Sequence, residues 1–390
     1  MTKLPATVSL LTVLLLSFPS NTPAIGETAC VQEVAALPPA ARSGRIFFAD
    51  HAAGWLVGGN RLWRTVDAGR TWTPIHLPTP PPGDSAGLLD THFFDALRGW
   101  IWFAQAAFTT ENAGRSWTTR PLPTESHQDL RKVWFAADGQ RGWAGGARYL
   151  PTRERPLYLP GWLAYEDEPG VWMVAKAVLQ HTADGGEHWS AQSLPTREPA
   201  VLFSVVFHDN GFGFAFSHNS TFVTSDGGRN WIAGQFPKNA ADAEFWTSGT
   251  WPRAVFFLDN REGWLSFQDG YLFRTHDGGR TWAEVLPAGR LRSPFASSGT
   301  TLYRIQFTST SQGWGVDDPG SLHKTEDEGA TWSLVPIEGR VRDLSFIDES
   351  SGWVITDTTL YRIVRTPGGC PGVHVDHRDG TSRRHTAALP

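Results

Sequence analysis

The side chains best suited to chemistry in this sequence recur in one pattern, Thr-x-Asp/Asn-x-Gly-x-x-Trp, which we call the Asp box. The pattern occurs six times, and its third position is occupied by Asp67, Asn112, Asp184, Asp226, Asp277 and Asp327. Such carboxylates could act as general acids or bases, or as metal ligands. An Asp in a tight turn, however, accepts backbone N–H groups, and the Gly permits a positive φ. We therefore interpret all six positions as structural turn formers, and we expect no catalytic residue, metal or cofactor.

A second pattern, an apolar run followed by a Gly-aromatic pair, precedes each Asp box and occurs once more near the C-terminus. Its seven copies are Gly54-Trp55, Gly99-Trp100, Gly142-Trp143, Gly213-Phe214, Gly263-Trp264, Gly313-Trp314 and Gly352-Trp353. The period of roughly 45 residues is typical of a four-stranded propeller blade. The sequence therefore predicts an all-β, seven-bladed β-propeller over residues 30–370, with each Asp box in the turn between strands C and D.

Blade five shows the predicted strands most clearly. Apolar, β-branched and aromatic residues fill four runs that Asp-Gly pairs separate, and these runs are 254–258, 263–267, 271–275 and 282–286. The Trp of each Asp box is expected to insert between neighbouring blades, where it buries a large apolar area.

The seventh repeat lacks an Asp box, because Arg365 stands at the Asp position and Cys370 at the Trp position. Fourth strands elsewhere end in Leu-Pro, and so does the segment Cys30 to Pro38. We therefore expect this N-terminal segment to complete blade seven and remove its open edge. Cys30 and Cys370 would then meet in a disulfide that closes the ring, the alternatives being two free thiols or an intermolecular bridge.

The two ends of the chain carry different signals. Residues 1–24 are typical of a secretory signal peptide, with Lys3 before a short apolar run, although a retained anchor is the alternative. We expect export to the periplasm, a lumen or the extracellular space. Residues 371–390 are predicted to be a disordered tail, and metal binding by its histidines and aspartates is the less favoured interpretation. The net charge of −5 gives no indication of nucleic-acid binding.

The repeat is broken in blade three. The Gly-aromatic residue and the Asp box are 12 or 13 residues apart in the other blades, but Trp143 and Asp184 are 41 apart. An insertion within 148–178 therefore lies between strands B and C, on the face opposite the Asp boxes. Aromatic residues outside the repeat concentrate there and in the connection before blade five. We predict a candidate binding face that comprises Tyr158, Trp162, Tyr165, Trp172, Trp246, Trp251 and Arg253. The alternative is that these aromatics pack together to hold two long loops.

The Gly-Trp strand, the Leu-aromatic-Arg-Thr strand (62–65 and 272–275) and the Asp box together resemble the photosystem II stability/assembly factor-like family, within the bacterial neuraminidase-repeat propellers. The resemblance covers residues 45–365. It implies a non-enzymatic, exported propeller that helps a membrane or envelope complex assemble by binding a protein partner. Ring arginines take part in partner binding in that family, and here Arg64, Arg274 and Arg362 match the repeat. We expect the chain to be a monomer.

The Asp box is shared with sialidases and xyloglucanases, so a glycoside hydrolase or carbohydrate-binding propeller is the alternative function. A sialidase needs an arginine triad, a Tyr nucleophile paired with Glu, and an Asp acid/base. The usual aromatic-Arg-Ile-Pro run is missing, since Phe47 follows Arg45-Ile46. Tyr149, Tyr158 or Tyr165 could be a nucleophile, but no partner Glu can be assigned.

Overall fold

The computed structural model describes residues 28–41, 44–80, 88–123, 125, 127–156, 163–196, 200–208, 211–217, 220–235, 252–291 and 300–366. The chain divides into a large unit, Val31–Val364, and a second unit that comprises Met1–Cys30 and Arg365–Pro390. The predicted signal peptide (1–24) and tail (371–390) lie outside the described residues. Within the described ranges, no helix is long and apolar enough to cross a membrane.

Short strands make up nearly all of the described structure, together with one turn of 3-10 helix at Pro39–Ala41. The strands before blade four are β1 (Thr28–Ala36), β2 (Arg45–Phe48), β3 (Gly54–Gly58), β4 (Arg61–Thr65), β5 (Thr73–Ile75), β6 (Asp90–Phe93), β7 (Gly99–Trp102), β8 (Ala106–Thr110), β9 (Thr118–Pro121), β10 (Gln128–Phe135), β11 (Gly142–Thr152), β12 (Ala164–Glu168), β13 (Val171–Thr182) and β14 (Ser190–Ala191). The strands of the later blades are β15 (Leu202–Phe207), β16 (Gly213–Ser217), β17 (Thr221–Thr224), β18 (Ile232–Ala233), β19 (Pro252–Phe257), β20 (Gly263–Phe267), β21 (Leu272–Thr275), β22 (Ala283–Leu286), β23 (Leu302–Phe307), β24 (Gly313–Asp317), β25 (Leu322–Thr325), β26 (Ser333–Val335), β27 (Val341–Asp348), β28 (Ser351–Thr356) and β29 (Thr359–Thr366).

These strands form seven antiparallel sheets, so the predicted seven-bladed propeller is confirmed. Blades one, two, four, five and six each contain four consecutive strands, beginning at β2, β6, β15, β19 and β23. Blade seven has the order β1-β29-β28-β27, so the N-terminal segment supplies its outer strand, as predicted. The Leu37 amide, just after β1, donates to the Thr358 carbonyl oxygen at 2.7 Å.

The Gly-aromatic pairs join each blade to the next. Six of their tryptophans are at most 1% exposed, and each of five stacks on a Phe of the following blade's first strand. The ring centroids of Trp264 and Phe307 are 3.6 Å apart, and those of Trp353 and Phe48 are 3.8 Å apart, which links blade seven to blade one. Gly is needed beside the Trp, because a Cβ on Gly263 would lie 2.6 Å from the Phe257 ring.

The Asp boxes build the turns between third and fourth strands. In blade one the Thr65 hydroxyl donates to Asp67 Oδ1 at 2.8 Å and accepts the Gly69 amide at 2.9 Å. The Thr71 amide donates to the same Oδ1 at 2.9 Å, and Gly69 has a φ of 88°. The other five boxes repeat these bonds. The box carboxylates are thus engaged in holding the turns.

Blade three differs because β11 and β13 continue well beyond the length of the other strands. Their pairing runs from Gly142 opposite Thr182 to Thr152 opposite Trp172, and β12 pairs with the far half of β13. We call residues 148–156 and 163–178 the blade-three extension. Its Leu163 and Ala175 are buried with Val201, which lies just before the first strand of blade four. The extension therefore packs against a neighbouring blade.

Candidate functional site

The first strands of six blades together line one cavity of 470 Å³. They contribute, in blade order, Arg45, Asp90, Lys132, Ser204, Arg253 and Arg304. Because these residues lie where first strands begin, the cavity opens on the face opposite the Asp boxes. We call it the channel mouth.

Shifts in strand pairing occur next to several of the charged side chains at this mouth. In blades three to seven, the pairing register between first and second strands shifts at the start of the first strand. The shifts fall immediately before Lys132, Arg304 and Asp343 in three of these blades. A β-bulge of this kind bends the strand and redirects the next side chain.

Asp90 is the charge centre of one side of the mouth. Its carboxylate forms ion pairs with both Arg45 and Lys132, which belong to the neighbouring blades. Burial would raise the pKa of Asp90, but the Lys132 and Arg45 charges outweigh burial and hold that pKa below its usual value. Asp90 therefore stays ionised.

Arg304 and Asp343 form a second ion pair at the mouth, with Arg304 Nε 3.1 Å from Asp343 Oδ1. Asp343 Oδ2 also accepts the Ile46 amide at 3.0 Å, which connects blade seven to blade one. The side chains of Arg45 and Arg304 are 51% and 35% exposed, whereas those of Asp90 and Asp343 are only 12% and 9% exposed. The anions lie beneath the cations, so the mouth presents positive charge to solvent.

Arg253 adds a further exposed cation to the mouth, and it forms no ion pair with a described carboxylate. Burial raises the pKa of Asp318, a carboxyl at the turn after β24, and the Arg253 charge opposes that rise. Phe203 of blade four lines the mouth as well, and it packs against the buried cluster of the blade-three extension. The root of the extension therefore borders the mouth.

A neutral His lies beside these charges. The ring of His92, in β6, is 4.3 Å from the Trp134 ring and 4.8 Å from the Phe94 ring. Burial, reinforced by the Lys132 charge, lowers the pKa of His92 to about 3. His92 is therefore uncharged near neutral pH and adds no charge to the mouth there.

Of the predicted aromatic residues, the structure describes Tyr165 and Trp172, and these two lie on opposite faces of the blade-three sheet. Tyr165 in β12 pairs with Met173, so it lies on the opposite face of the sheet from Trp172. The Tyr165 ring is 5.3 Å from that of Tyr149, while the Arg155 guanidinium lies 5.4 Å above Trp172. Of the other predicted residues, Arg253 lies at the mouth, and those outside the described residues are Tyr158, Trp162, Trp246 and Trp251.

The three arginines that match the family repeat lie in different blades. Arg64, Arg274 and Arg362 each lie over the Gly-Trp tryptophan of their own blade, at 5.6, 5.2 and 5.3 Å from the ring. They belong to blades one, five and seven, and none of them lines the mouth cavity. Each packs on a tryptophan of its own blade, and the three do not form a cluster.

Sequence reasoning found Arg253 but missed the other charged residues of the mouth. These are Arg45, Asp90, Lys132 and Arg304, together with Asp343, which pairs with Arg304 beside the cavity. One signal was available, namely a charged residue near the start of the apolar run that precedes each Gly-aromatic pair.

Comparison with known proteins agrees with this architecture. Residues 247–343 match the family model described as photosynthesis system II assembly factor YCF48. A structure of YCF48 bound to D1 peptide is 19% identical, with 86% of this chain and 96% of that chain covered and a TM-score of 0.54. YCF48 from Cyanidioschyzon merolae is 16% identical, with coverages of 86% and 98% and a TM-score of 0.55.

An enzyme shares the fold too. The GH74 xyloglucanase from Xanthomonas campestris is 14% identical, and the match covers 86% of this chain and 53% of that chain with a TM-score of 0.51. Comparison with curated proteins gives no significant match. The resemblance inferred from the repeats is confirmed by the family match and the shared architecture: this chain is an Asp-box β-propeller similar to the photosystem II assembly factors.

Proposed function

We propose that this chain is an exported, non-enzymatic and monomeric propeller that binds a protein of an envelope or membrane complex and promotes its assembly. The family match and the relative bound to a peptide support a protein partner. The channel mouth is the site where this partner binds, and an acidic stretch of its chain provides the contact.

The observation that carries this proposal is the layering of charge at the mouth. Four cationic side chains, from Arg45, Lys132, Arg253 and Arg304, outnumber the carboxylates near them, which are Asp90, Asp343 and the partly buried Asp318. The mouth is therefore positive although the chain as a whole has a net charge of −5. A cleft of one sign of charge attracts and orients a ligand of the other sign.

The experiment is quantitative capture of partners from the envelope fraction by the tagged protein and two variants. Arg253→Glu reverses an exposed charge at the mouth, and Arg280→Glu reverses an exposed charge on the Asp-box face as the matched control. We expect Arg253→Glu to reduce capture about tenfold or more, and higher salt to weaken capture by the intact protein. Equal capture by both variants would contradict binding at the mouth.

The sialidase form of the hydrolase alternative depends on a tyrosine nucleophile. Burial raises the pKa of Tyr149, which opposes formation of the reactive phenolate. Assay against a panel of fluorogenic sialosides and glucosides distinguishes the two functions. We expect no dye release above the buffer control. Turnover of any substrate by the purified protein would contradict the non-enzymatic proposal, and its loss on Tyr149→Phe would assign it to that tyrosine.

A further inference from the structure

The outer strand of each blade presents a hydrogen-bonding edge to its surroundings, and β1 has the longest of these edges. It has nine residues, of which residues 31–36 belong to the large unit. The outer strands of the other blades, β5, β9, β14, β18, β22 and β26, have between two and four residues. On one side β1 pairs with β29, and no described strand lies on its other side. Blade seven therefore ends in a long row of backbone N–H and C=O groups.

Exposed strand edges usually carry features that prevent pairing with another chain, such as Pro, charged side chains and β-bulges. Pro74 lies within β5, and Pro121 ends β9. In β12, an edge strand of blade three, the pairing register shifts between two exposed acidic residues, Glu166 and Glu168. Residues 31–36 read Val-Gln-Glu-Val-Ala-Ala, with no Pro, no basic residue and a single charge. The longest edge thus lacks these protections, which is typical of an edge that accepts a further strand.

The backbone direction in β1 identifies the amides on its outer side. The Leu37 amide donates inward, to the Thr358 carbonyl oxygen of blade seven at 2.7 Å. Because backbone N–H groups alternate between the two sides of a strand, the amides of Gln32, Val34 and Ala36 point outward. The Val34 side chain packs against the core between blades seven and one, whereas the Gln32 side chain is exposed. Gln32 is therefore the position where an outward N–H can be removed without disturbing the core.

Two carboxylates lie on one face of blade seven near this edge. Burial raises the pKa of Tyr361, in β29, and the charges of Glu33 and Glu338 add to the rise, so both carboxylates lie close to the Tyr361 hydroxyl. That hydroxyl also donates to the Glu338 carbonyl oxygen at 3.3 Å. Glu33 and Glu338 are exposed, and neither forms an ion pair with a described cation. An incoming strand with Lys or Arg on this face would neutralise both carboxylates.

These charges also decide which occupant fits the edge. Antiparallel pairing with β1 of a second copy would bring two more carboxylates to the same face, and like charges across a strand pair are destabilising. We propose that the outer edge of β1 receives an extended segment of a partner protein, which adds a fifth strand to blade seven and carries basic side chains beside Glu33 and Glu338. The inference is independent of the channel mouth, because first strands line the mouth whereas β1 is the outer strand of its blade.

Three labelled synthetic peptides test the proposal by fluorescence anisotropy on the full chain. The first is Thr-Val-Lys-Val-Lys-Val-Lys-Thr, the second replaces each Lys by Glu, and the third is the first with N-methyl groups along its central residues. We expect the second to bind at least about tenfold more weakly than the first, because its charges repel Glu33 and Glu338. The third keeps the charge but loses the backbone donors, and should also bind at least about tenfold more weakly.

Variants of the protein assign the binding to β1. Gln32→Pro removes one outward N–H at an edge position where Pro is tolerated, and should weaken the first peptide about tenfold with an unchanged thermal midpoint. Gln32→Thr removes the same side chain but keeps the N–H, and is the matched control that should change nothing. Glu33→Gln should weaken the first peptide about threefold, because one of the two carboxylates is lost.

Amide hydrogen exchange resolved to single residues tests the geometry directly. In the chain alone, the amides of Gln32, Val34 and Ala36 should exchange rapidly, and saturation with the first peptide should slow them at least about tenfold. Slow exchange of these amides without peptide would show that another part of this chain covers the edge, and protection that rises with protein concentration would show a second copy.

Either of these exchange results overturns the proposal. So does equal affinity for the first and third peptides, which would mean attraction by charge without strand pairing. Equal affinity for the first and second peptides, equal effects of Gln32→Pro and Gln32→Thr, or no binding of the first peptide at millimolar concentration overturns it as well. None of these results bears on the channel mouth, whose test is capture by Arg253→Glu.

Discussion

Arg274 allows a direct test of whether the repeat arginines serve packing or partner binding. It lies in the third strand of blade five with its side chain only 3% exposed, and its guanidinium is 5.2 Å from the Trp264 ring centroid. Nη2 is 3.0 Å from Glu262 Oε2, and Nη1 contacts the carboxylate of Glu328 in blade six. We predict that Arg274→Ala destabilises the fold and leaves partner capture unchanged.

The magnitude follows from what the substitution leaves behind. Removing one partner of a buried ion pair costs about 3–5 kcal/mol when the remaining charge is fully buried. Glu262 is 18% exposed and keeps His276 as a partner at 3.0 Å, and Glu328 is 54% exposed, so solvent screens both carboxylates. We therefore expect a loss of about 2–3 kcal/mol in the free energy of unfolding, which includes about 0.5–1 kcal/mol from the lost cation–π contact.

Arg64→Ala is the matched control for Arg274→Ala. Arg64 lies 5.6 Å from the Trp55 ring and donates to the Ala96 carbonyl oxygen at 3.3 Å, but it forms no ion pair with a described carboxylate. Its loss should cost about 1 kcal/mol. Urea denaturation compares the two variants, with a shifted midpoint and an unchanged slope. An equal loss in both would refute a contribution from the ion pairs, and reduced partner capture by a fully stable Arg274→Ala protein would refute the packing role.

Two further predictions concern the Asp boxes and the ring closure. Hydrogen bonds from Thr71 hold the pKa of Asp67 down to about 2, below the value of about 3.9 in an unfolded chain. The stabilisation by ionised Asp67 is therefore complete above about pH 4 and is lost as the pH falls toward 2. Denaturation midpoints should fall over this pH range in the intact protein, and should fall less in Asp67→Asn. Midpoints that do not change with pH in the intact protein would contradict this role of Asp67. For the two ends of the chain, we predict that Cys30 and Cys370 form one intramolecular disulfide. The intact mass should then increase by two hydrogen atoms on reduction. Two alkylatable thiols in the unreduced monomer would exclude the bond.

The fold could be predicted because its determinants are local and repeat. The second strand of blade five occupies Gly263–Phe267, as predicted, since the Gly that admits the Phe257 ring and the Trp that stacks on the next blade are adjacent in sequence. The first strand begins two residues earlier than predicted, at Pro252, and continues to the channel mouth. The register shift between Pro252 and Ala254 breaks the alternation of side chains that marks a strand in sequence.

The channel mouth could not be predicted for two reasons. Register shifts break the side-chain alternation where the first strands begin, and the residues of the mouth come from distant parts of the sequence. Arg45 and Arg304 are far apart in sequence, and Asp343 bonds both to Arg304 and to the Ile46 amide, next to Arg45, only because blade seven packs against blade one. No short motif records such an arrangement. The blade-three insertion was visible in sequence as a longer spacing, but its side-chain directions depend on the pairing of Tyr165 with Met173, which spacing alone does not specify.

The two faces of the ring therefore differ in whether their charged groups bond within one blade or between blades. On the Asp-box face, each carboxylate is bonded within its own turn, so the chemistry there is complete blade by blade. On the opposite face, Asp90 is neutralised by cations from blades one and three, and Asp343 bonds to groups from blades six and one. The charge of the mouth thus belongs to the closed ring and not to any blade. We predict that substitutions that open the junction between blades seven and one alter the mouth even where they touch none of its residues. Under the proposed function, they also weaken partner capture.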